Sequence, residues 1–205
     1  MYVRAAAIGL LLTSVSTIAL SQRSGPGSAG AKGFFLGLAL NGSALTADDL
    51  DSDTENGGGL QLQLGWGFNP KLAIFLDGSA ASMDADGESW ILSHGDLGLR
   101  YHFAGPGKSF VPFVEGAFTG WVGSQDDVDF GNGTGDLEIS GAGFTLGGGF
   151  LYFFNSRVAL NTGVKWTKGE FDKVKFQNVS VEGLDIDATS ARLNIGLTFF
   201  LGGQR

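Results

Sequence analysis

The sequence predicts an all-β fold: an eight-stranded antiparallel up-and-down transmembrane β-barrel. Glycine supplies 35 of the 205 residues, and each glycine disfavours a helix by about 1 kcal/mol relative to alanine. Apolar and polar residues alternate in eight separate segments, as in strands with two different faces. The connections between these segments alternate between long and short. A helical bundle is therefore disfavoured, and the lack of cysteine excludes a disulfide scaffold.

The N-terminal segment has the composition of an export signal. Residues 1–4 carry a positive charge, and residues 5–20 are nearly all apolar or small. This run is shorter than the roughly 20 residues of a membrane-spanning helix, and small residues at its end match a cleavage site. We predict a cleaved signal peptide over 1–21 and a flexible leader over 22–31, with Ala29-Gly30-Ala31 as a second candidate cleavage site. The barrel is predicted over 32–201, followed by a C-terminal tail, 202–205.

Each of the eight segments has one apolar face. In the first segment, Phe34, Leu36 and Leu38 share a face, while Gly37 and Ala39 share the other. Successive side chains of a strand point to opposite sides, so this alternation predicts a strand. The predicted strands are residues 33–41, 60–69, 72–83, 91–103, 110–121, 142–154, 158–167 and 190–201.

The apolar faces of these strands predict contact with lipid. The opposite faces are rich in glycine and small polar residues, which suit the narrow interior of an eight-stranded barrel. Aromatic residues gather at strand ends, where the girdles of outer-membrane barrels lie. These residues are Trp66, Phe68, Phe103, Phe110, Tyr152, Phe154 and Phe199. The alternative is a soluble, lipocalin-like barrel, in which the apolar faces would line a cavity.

The lengths of the connections predict the orientation of the barrel. Short connections with turn residues occur at 69–71, 104–108 and 155–157. Long connections are predicted at 42–58, 84–90, 122–141 and 168–189. Outer-membrane barrels have short periplasmic turns and longer external loops. The sequence therefore predicts a protein of the cell outer membrane with both termini on the periplasmic side.

Charged residues are segregated along the predicted barrel axis. Of the 21 acidic residues, 18 lie in the long connections. The short-turn end has no acidic residue and carries Lys32, Lys71, Lys108, Arg157 and Arg205. Such asymmetry fits a protein whose two ends face different compartments. The net charge of −8 also argues against a nucleic-acid partner, because phosphates attract basic surfaces.

Six charged residues fall on the predicted inner faces. They are Asp77, Asp96, Arg100, Glu115, Lys165 and Arg192. An unpaired buried charge is costly, so the balance of three acids and three bases predicts ion pairs across a closed lumen. Arg100 is predicted to pair with Asp77, with Glu115 or with both. We interpret this cluster as a plug that fills the interior; an ion pathway is the alternative.

The sequence gives little support for catalysis or metal binding. A lipid A-modifying hydrolase would need a serine activated by histidine, but the adjacent Ser93 and His94 point to opposite faces of one strand. His102 has no serine near it on its strand. The acidic run that ends at Glu55 has Thr54 where a calcium-binding EF-hand loop needs glycine. We predict no enzyme activity, no cofactor and no metal site, and weak binding of divalent cations by the acidic loops is the alternative to fully solvated loops.

Several stretches resemble a known family. They are Asp96–Phe103, the strand start Val111-Pro112-Phe113-Val114, and the glycine-rich strand that ends Phe150-Leu151-Tyr152-Phe153-Phe154. In the last strand, Asn194, Gly196, Phe199 and Leu201 fit the family's terminal recognition signal. The chain thus resembles small outer-membrane barrels of the OmpA-like and opacity-protein type over about residues 32–201. This resemblance implies insertion by the outer-membrane assembly machinery.

These observations predict a structural or surface-interaction role. We expect a barrel with a largely plugged lumen, whose acidic external loops contact lipopolysaccharide or a surface ligand. The expected partners are outer-membrane lipid, lipopolysaccharide and the assembly machinery. The alternative function is an outer-membrane channel for small solutes or ions.

Overall fold

Eight antiparallel strands form the whole of the described fold. The structure is a computed structural model and describes residues 31–47, 54–85, 88–104, 107–129, 134–176 and 179–201. The strands are β1 (Gly33–Ala47), β2 (Glu55–Gly67), β3 (Leu72–Ala85), β4 (Glu88–His102), β5 (Phe110–Asp129), β6 (Thr134–Phe153), β7 (Val158–Phe176) and β8 (Val179–Phe200). The predicted signal peptide, nearly all of the leader and the tail lie outside the described residues. Within those residues, no helix is long and apolar enough to cross a membrane.

The strands close into a barrel in sequence order. Each strand pairs with its chain neighbour, and β1 also pairs with β8. When the paired residues are followed from Leu36 of β1 through each strand in turn, the path returns to β1 at Thr46. The strands are therefore staggered by ten residues around the barrel. Such a stagger tilts the strands by about 35–45° to the barrel axis. The prediction of an eight-stranded antiparallel up-and-down barrel is confirmed.

The outward face of the barrel is apolar. Leu38, Phe118 and Leu146 are 56%, 67% and 64% exposed. All seven aromatic residues predicted to form a girdle are exposed near the short-turn end. Large exposed apolar patches on a protein mark contact with another apolar phase, and a closed barrel with this face outward fits a membrane.

Side chains fill the interior in three layers. The inner apolar cluster, at the short-turn end, consists of Ala31, Phe35, Ala73, Phe75, Val111, Phe113, Ala117, Leu151, Phe153, Ala159 and Phe200. The outer apolar cluster, at the opposite end, consists of Leu45, Ala81, Met83, Leu92, Trp121, Phe171 and Ala188. Between them lies a polar layer that contains the six charged residues. The interior is therefore more apolar than the glycine-rich inner faces had indicated.

Inward-facing glycines make room for these large rings. A Cβ atom on Gly65 would overlap the ring of Phe35. A Cβ atom on Gly98 would lie 2.7 Å from Cζ of Phe75, closer than packed carbon atoms approach each other. Each ring thus occupies the space that a neighbouring side chain would otherwise fill.

The predicted extent of the long connections is wrong. Most of 122–141 and 168–189 belongs to paired strands, because β5 continues to Asp129 and β7 to Phe176. Of the 18 acidic residues assigned to long connections, 13 lie on strands. The alternation of apolar with small residues weakens beyond the lipid-facing band, whereas the hydrogen-bonded ladder continues. These strand ends were therefore not predicted, because they lie in charged and glycine-rich segments without clear alternation.

Strands β5 to β8 rise above β1 to β4. In the described residues, pairing of β4 with β5 ends at Ser124, and pairing of β1 with β8 ends at Ala188. Beyond these positions, β5 to β8 pair only among themselves. They form an open four-stranded sheet above the closed barrel, which we call the outer wall (residues 125–129, 134–140, 170–176 and 179–187).

Cysteine labelling tests the orientation of the barrel. The chain has no native cysteine, so an introduced thiol gives the only signal. We expect Ser180→Cys, in the outer wall, to react with a membrane-impermeant maleimide on intact cells. Ser156→Cys, in a short turn, should react only after the outer membrane is breached. The reverse pattern would show that the short turns face outward.

Candidate functional site

The six predicted charged residues lie together in the polar layer. They come from five strands: Asp77 from β3, Asp96 and Arg100 from β4, Glu115 from β5, Lys165 from β7 and Arg192 from β8. Each occupies an inward position of its strand, and none is more than 6% exposed. The layer contains three acids and three bases, so its formal charges cancel.

Lys165 is the central cation of this layer. Its Nζ atom lies 3.1 Å from Oδ2 of Asp77, 2.9 Å from Oδ2 of Asp96 and 3.7 Å from Oε1 of Glu115. Carboxylates from three consecutive strands thus converge on one ammonium group. Sequence reasoning allowed Arg100 to pair with both Asp77 and Glu115, but the residue that contacts both carboxylates is Lys165, because β7 faces β3 to β5 across the narrow lumen.

Arg100 pairs with Glu115 at the boundary with the inner apolar cluster. Its Nε atom donates to Oε2 of Glu115 at 2.7 Å, and its Nη2 atom lies 2.6 Å from the same oxygen. The guanidinium carbon also lies 4.1 Å from the ring centroid of Phe113 and 5.3 Å from that of Phe75. Aromatic faces attract a desolvated cation at these distances. In the described structure, Asp77 pairs with Lys165 and not with Arg100.

Arg192 of β8 pairs with Asp96 of β4 across the lumen. Its Nη1 atom lies 3.1 Å from Oδ2 of Asp96, and its Nη2 atom donates to Oδ1 at 3.1 Å. Such a two-pronged pair fixes the relative orientation of both side chains. The Nη2 group also reaches the hydroxyl oxygens of Thr145 at 3.2 Å and Thr167 at 3.0 Å.

Neutral polar side chains complete the network, and sequence reasoning missed them. Thr119 Oγ1 donates to Oδ1 of Asp96 at 2.8 Å and lies 2.5 Å from Oγ1 of Thr145. Gln61 and Gln63 both donate to Oδ2 of Asp77, the latter at 3.0 Å. Like the charged residues on neighbouring strands, these residues occupy the alternate positions that face the lumen. Their inward positions, which the alternation already indicated, could have identified them as members of the network.

The histidines make no catalytic arrangement in the described residues. His94 packs edge-on against Trp121, with ring centroids 5.9 Å apart, and neither of its nitrogens has a hydrogen-bond partner there. Ser79, across the strand pair from His94, instead accepts from Nη1 of Arg192 at 3.4 Å. Ser93 faces outward, and His102 packs against the ring of Phe113.

A metal site is also missing from the part of the chain that the structure describes. No group of three or more His, Cys, Asp or Glu side chains there is arranged to hold an ion. The acidic groups of the polar layer are occupied by Lys165, Arg100 and Arg192. The chemistry of this layer is mutual neutralisation of buried charge.

The residues of the predicted assembly signal lie on both faces of β8 and just beyond it. Asn194 is buried in the lumen, and Gly196 pairs with Ala39 of β1. Phe199 and Leu201 are 37% and 64% exposed on the outward side, near the short-turn end. Their recognition by the assembly machinery stays a prediction.

The sequence matches a protein-family model over residues 5–199, and that family is the outer membrane protein beta-barrel domain. The chain belongs to this family. Its members are outer-membrane barrels, which establishes the outer membrane as the location of the protein and confirms the resemblance found in the sequence. In sequence, the chain matches none of the curated proteins.

Solved structures share the same fold at low sequence identity. Neisserial surface protein A is 18% identical, with 83% of this chain and 98% of that chain covered and a TM-score of 0.63. OprG from Pseudomonas aeruginosa is 15% identical, with 83% and 97% covered and a TM-score of 0.52. Ail from Yersinia pestis is 11% identical, with 82% and 99% covered and a TM-score of 0.51. At these identities the likeness concerns the fold.

Proposed function

We propose that this family member is a closed barrel with a structural and surface-interaction role. The observation that carries the proposal is the filled lumen. Phenylalanine rings occupy the short-turn end, the ion-pair network occupies the middle, and Trp121 and Phe171 stack at the opposite end with ring centroids 5.0 Å apart.

A solute that crossed this lumen would have to displace all three layers. Separating a buried charge from its partner costs several kcal/mol, and Lys165 and Arg192 hold Asp96 from two strands. The apolar layers add a barrier to hydrated ions, because they offer no polar atoms to replace water. The lumen is therefore suited to stability of the barrel and not to transport.

The charge of the extracellular end supports a role in surface interaction. Of the 18 acidic residues predicted for this end, 13 lie on described strands, together with Lys168, Lys173 and Lys175 on β7. Lipopolysaccharide, through its associated cations, and positively charged surface ligands suit this end electrostatically. Ail, which shares the fold, has been solved in complex with the heparin analogue sucrose octasulfate. For the present chain, the acidic end favours cations over such a polyanion.

An outer-membrane channel is the second candidate function. The observation that favours it is a set of buried polar atoms with no hydrogen-bond partner in the described residues, among them Oδ1 of Asn41, Asn161 and Asn194. These side chains lie on the neighbouring strands β1, β7 and β8. A rearrangement that hydrated this side of the lumen would create a polar path.

Single-channel recording separates the two functions. We expect the refolded protein in a planar bilayer to give no long-lived, reproducible conductance steps, because the three layers close the lumen. A conducting porin in the same bilayer serves as the positive control, and circular dichroism with protease protection verifies insertion. Reproducible open steps from the wild-type barrel would support the channel.

A further inference from the structure

The outer wall is an amphipathic sheet. Its outward face carries Lys173 and Glu182, whose Nζ and Oε1 atoms lie 3.0 Å apart, and these side chains are exposed. Its inward face carries apolar side chains in cross-strand rows. Ile139, Val174 and Val181 form one row, and Leu137 and Phe176 belong to the next.

This apolar inward face continues the outer apolar cluster of the lumen. Ile139, Ile186 and Trp90 pack on that cluster from above. Val181, further from the barrel, is 53% exposed. The described parts of β1 to β4 end below this level, so strands β5 to β8 present the apolar rows towards the space above the barrel axis. Ile139 and Val174, in the same row, are partly buried. An apolar row that is open at one end and bordered by charge is typical of a ligand surface.

Charge differs between the outward side of this end of the barrel and the space that the inward face of the wall borders. The lysines of the extracellular end, Lys168, Lys173 and Lys175, occupy outward positions of β7, because they alternate with inward residues such as Thr167 and Val174. On the inward side, Glu55 of β2 accepts a hydrogen bond from Nε1 of Trp90 at 2.7 Å. The inward side therefore combines a carboxylate with apolar surface.

Glu55, Trp90 and Ile139 form a continuous surface at the base of the wall. The Trp90 ring and the Ile139 side chain lie side by side over Gly123, where a Cβ atom would be 3.0 Å from each of them. A carboxylate accepts more than one hydrogen bond, and a tryptophan face attracts ammonium groups. Glu55 and Trp90 together thus provide recognition chemistry for an organic cation, directly beside the apolar rows.

We propose that the inward face of the outer wall binds a single-chain cationic amphiphile. The ammonium group lies against Glu55 and Trp90, and the alkyl chain lies along Ile139, Val174 and Val181. Charge complementarity selects a cation, and the apolar rows require an alkyl tail. This inference rests on the proposed surface-interaction role and names the chemical class of its ligand.

Binding of alkyl ammonium probes to the barrel in lipid nanodiscs tests the proposal. The probe is octyltrimethylammonium, and binding is followed by the fluorescence of Trp90 and Trp121 in a Trp66→Phe/Trp166→Phe background, with empty nanodiscs as the blank. We expect saturable binding that octyl sulfate and tetramethylammonium do not reproduce, since one has the wrong charge and the other lacks a tail. Equal binding of octyl sulfate, or no saturable binding of octyltrimethylammonium, would overturn the proposal.

Matched variants locate the site. Glu55→Gln keeps an oxygen that can accept from Trp90 but removes the charge, and we expect about tenfold weaker binding, equivalent to about 1.4 kcal/mol. Val181→Lys should weaken binding at least as much, whereas Ser180→Lys adds the same charge to the outward face and should leave binding unchanged. Equal effects of the two lysine substitutions would contradict the assigned face.

Conductance recorded on the same preparations keeps the two proposals apart. A closed barrel that fails to bind the probe would overturn the amphiphile site and leave the closed lumen standing. A barrel that conducts would overturn the closed lumen, while the binding data would still decide on the amphiphile site.

Discussion

Replacing Lys165 with methionine is expected to destabilise the barrel by about 3–5 kcal/mol, because it removes one side of a buried ion network. Lys165 neutralises Asp77 and Asp96 at 3.1 and 2.9 Å and lies 3.7 Å from Glu115. After the substitution, three buried carboxylates share two guanidinium groups. The measurement is the urea midpoint for unfolding of the refolded barrel in lipid vesicles, monitored by tryptophan fluorescence.

Two further variants show whether charge causes this loss. Lys168→Met lies on the same strand but is exposed, so its effect should stay within about 0.5 kcal/mol. The double variant Lys165→Met/Asp77→Asn restores equal numbers of buried acids and bases, and it should recover part of the lost stability. A Lys165→Met barrel as stable as the wild type would show that the network contributes little to folding.

Replacing Leu38 with arginine is expected to destabilise the inserted barrel by about 2–4 kcal/mol, the cost of placing arginine near the bilayer midplane. Leu38 is 56% exposed on the outward face of β1 and pairs with Leu197 of β8, which lies on the same face. Leu197→Arg should therefore have a similar effect. Folding into vesicles of defined thickness, followed by urea titration, measures both variants.

The matched control for Leu38→Arg is Ala44→Arg. Ala44 lies on the same strand and the same face, six residues further from the short-turn end. The cost of arginine falls to about 0–1 kcal/mol near the membrane interface, so Ala44→Arg should be tolerated. Equal tolerance at Leu38, Leu197 and Ala44 would contradict the contact of this face with lipid and would favour a soluble barrel.

The sequence by itself determined the fold class, the number of strands and the direction of their faces. A strand has a side-chain period of two, so the alternation of Phe34, Leu36 and Leu38 with Gly37 and Ala39 assigns the residues of a regular strand to a side without any tertiary information. The same parity placed Asp77, Asp96, Arg100, Glu115, Lys165 and Arg192 on the inner faces. Membership of the outer-membrane barrel family agrees with this pattern.

Strand ends could not be read from the pattern in the half of the barrel opposite the short turns. Backbone pairing does not depend on apolar alternation, so β5 and β6 continue through charged residues as far as Asp129 and Thr134. The outer wall and its apolar inward face follow from that continued pairing. A β-bulge between Phe171 and Lys173 also shifts the register there, which changes the inward parity in a way that sequence alone does not show.

Only the tertiary structure decided which inward residues meet. The alternation along a strand shows whether a side chain points into the lumen or outward. The stagger of ten residues around the barrel sets the height of each strand relative to the strands across the lumen. That stagger brings Lys165 of β7 level with Asp77 and Asp96 and leaves Arg100 beside Glu115 and Phe113. The partners of a buried charge depend on distances across the lumen, which no spacing along the chain contains.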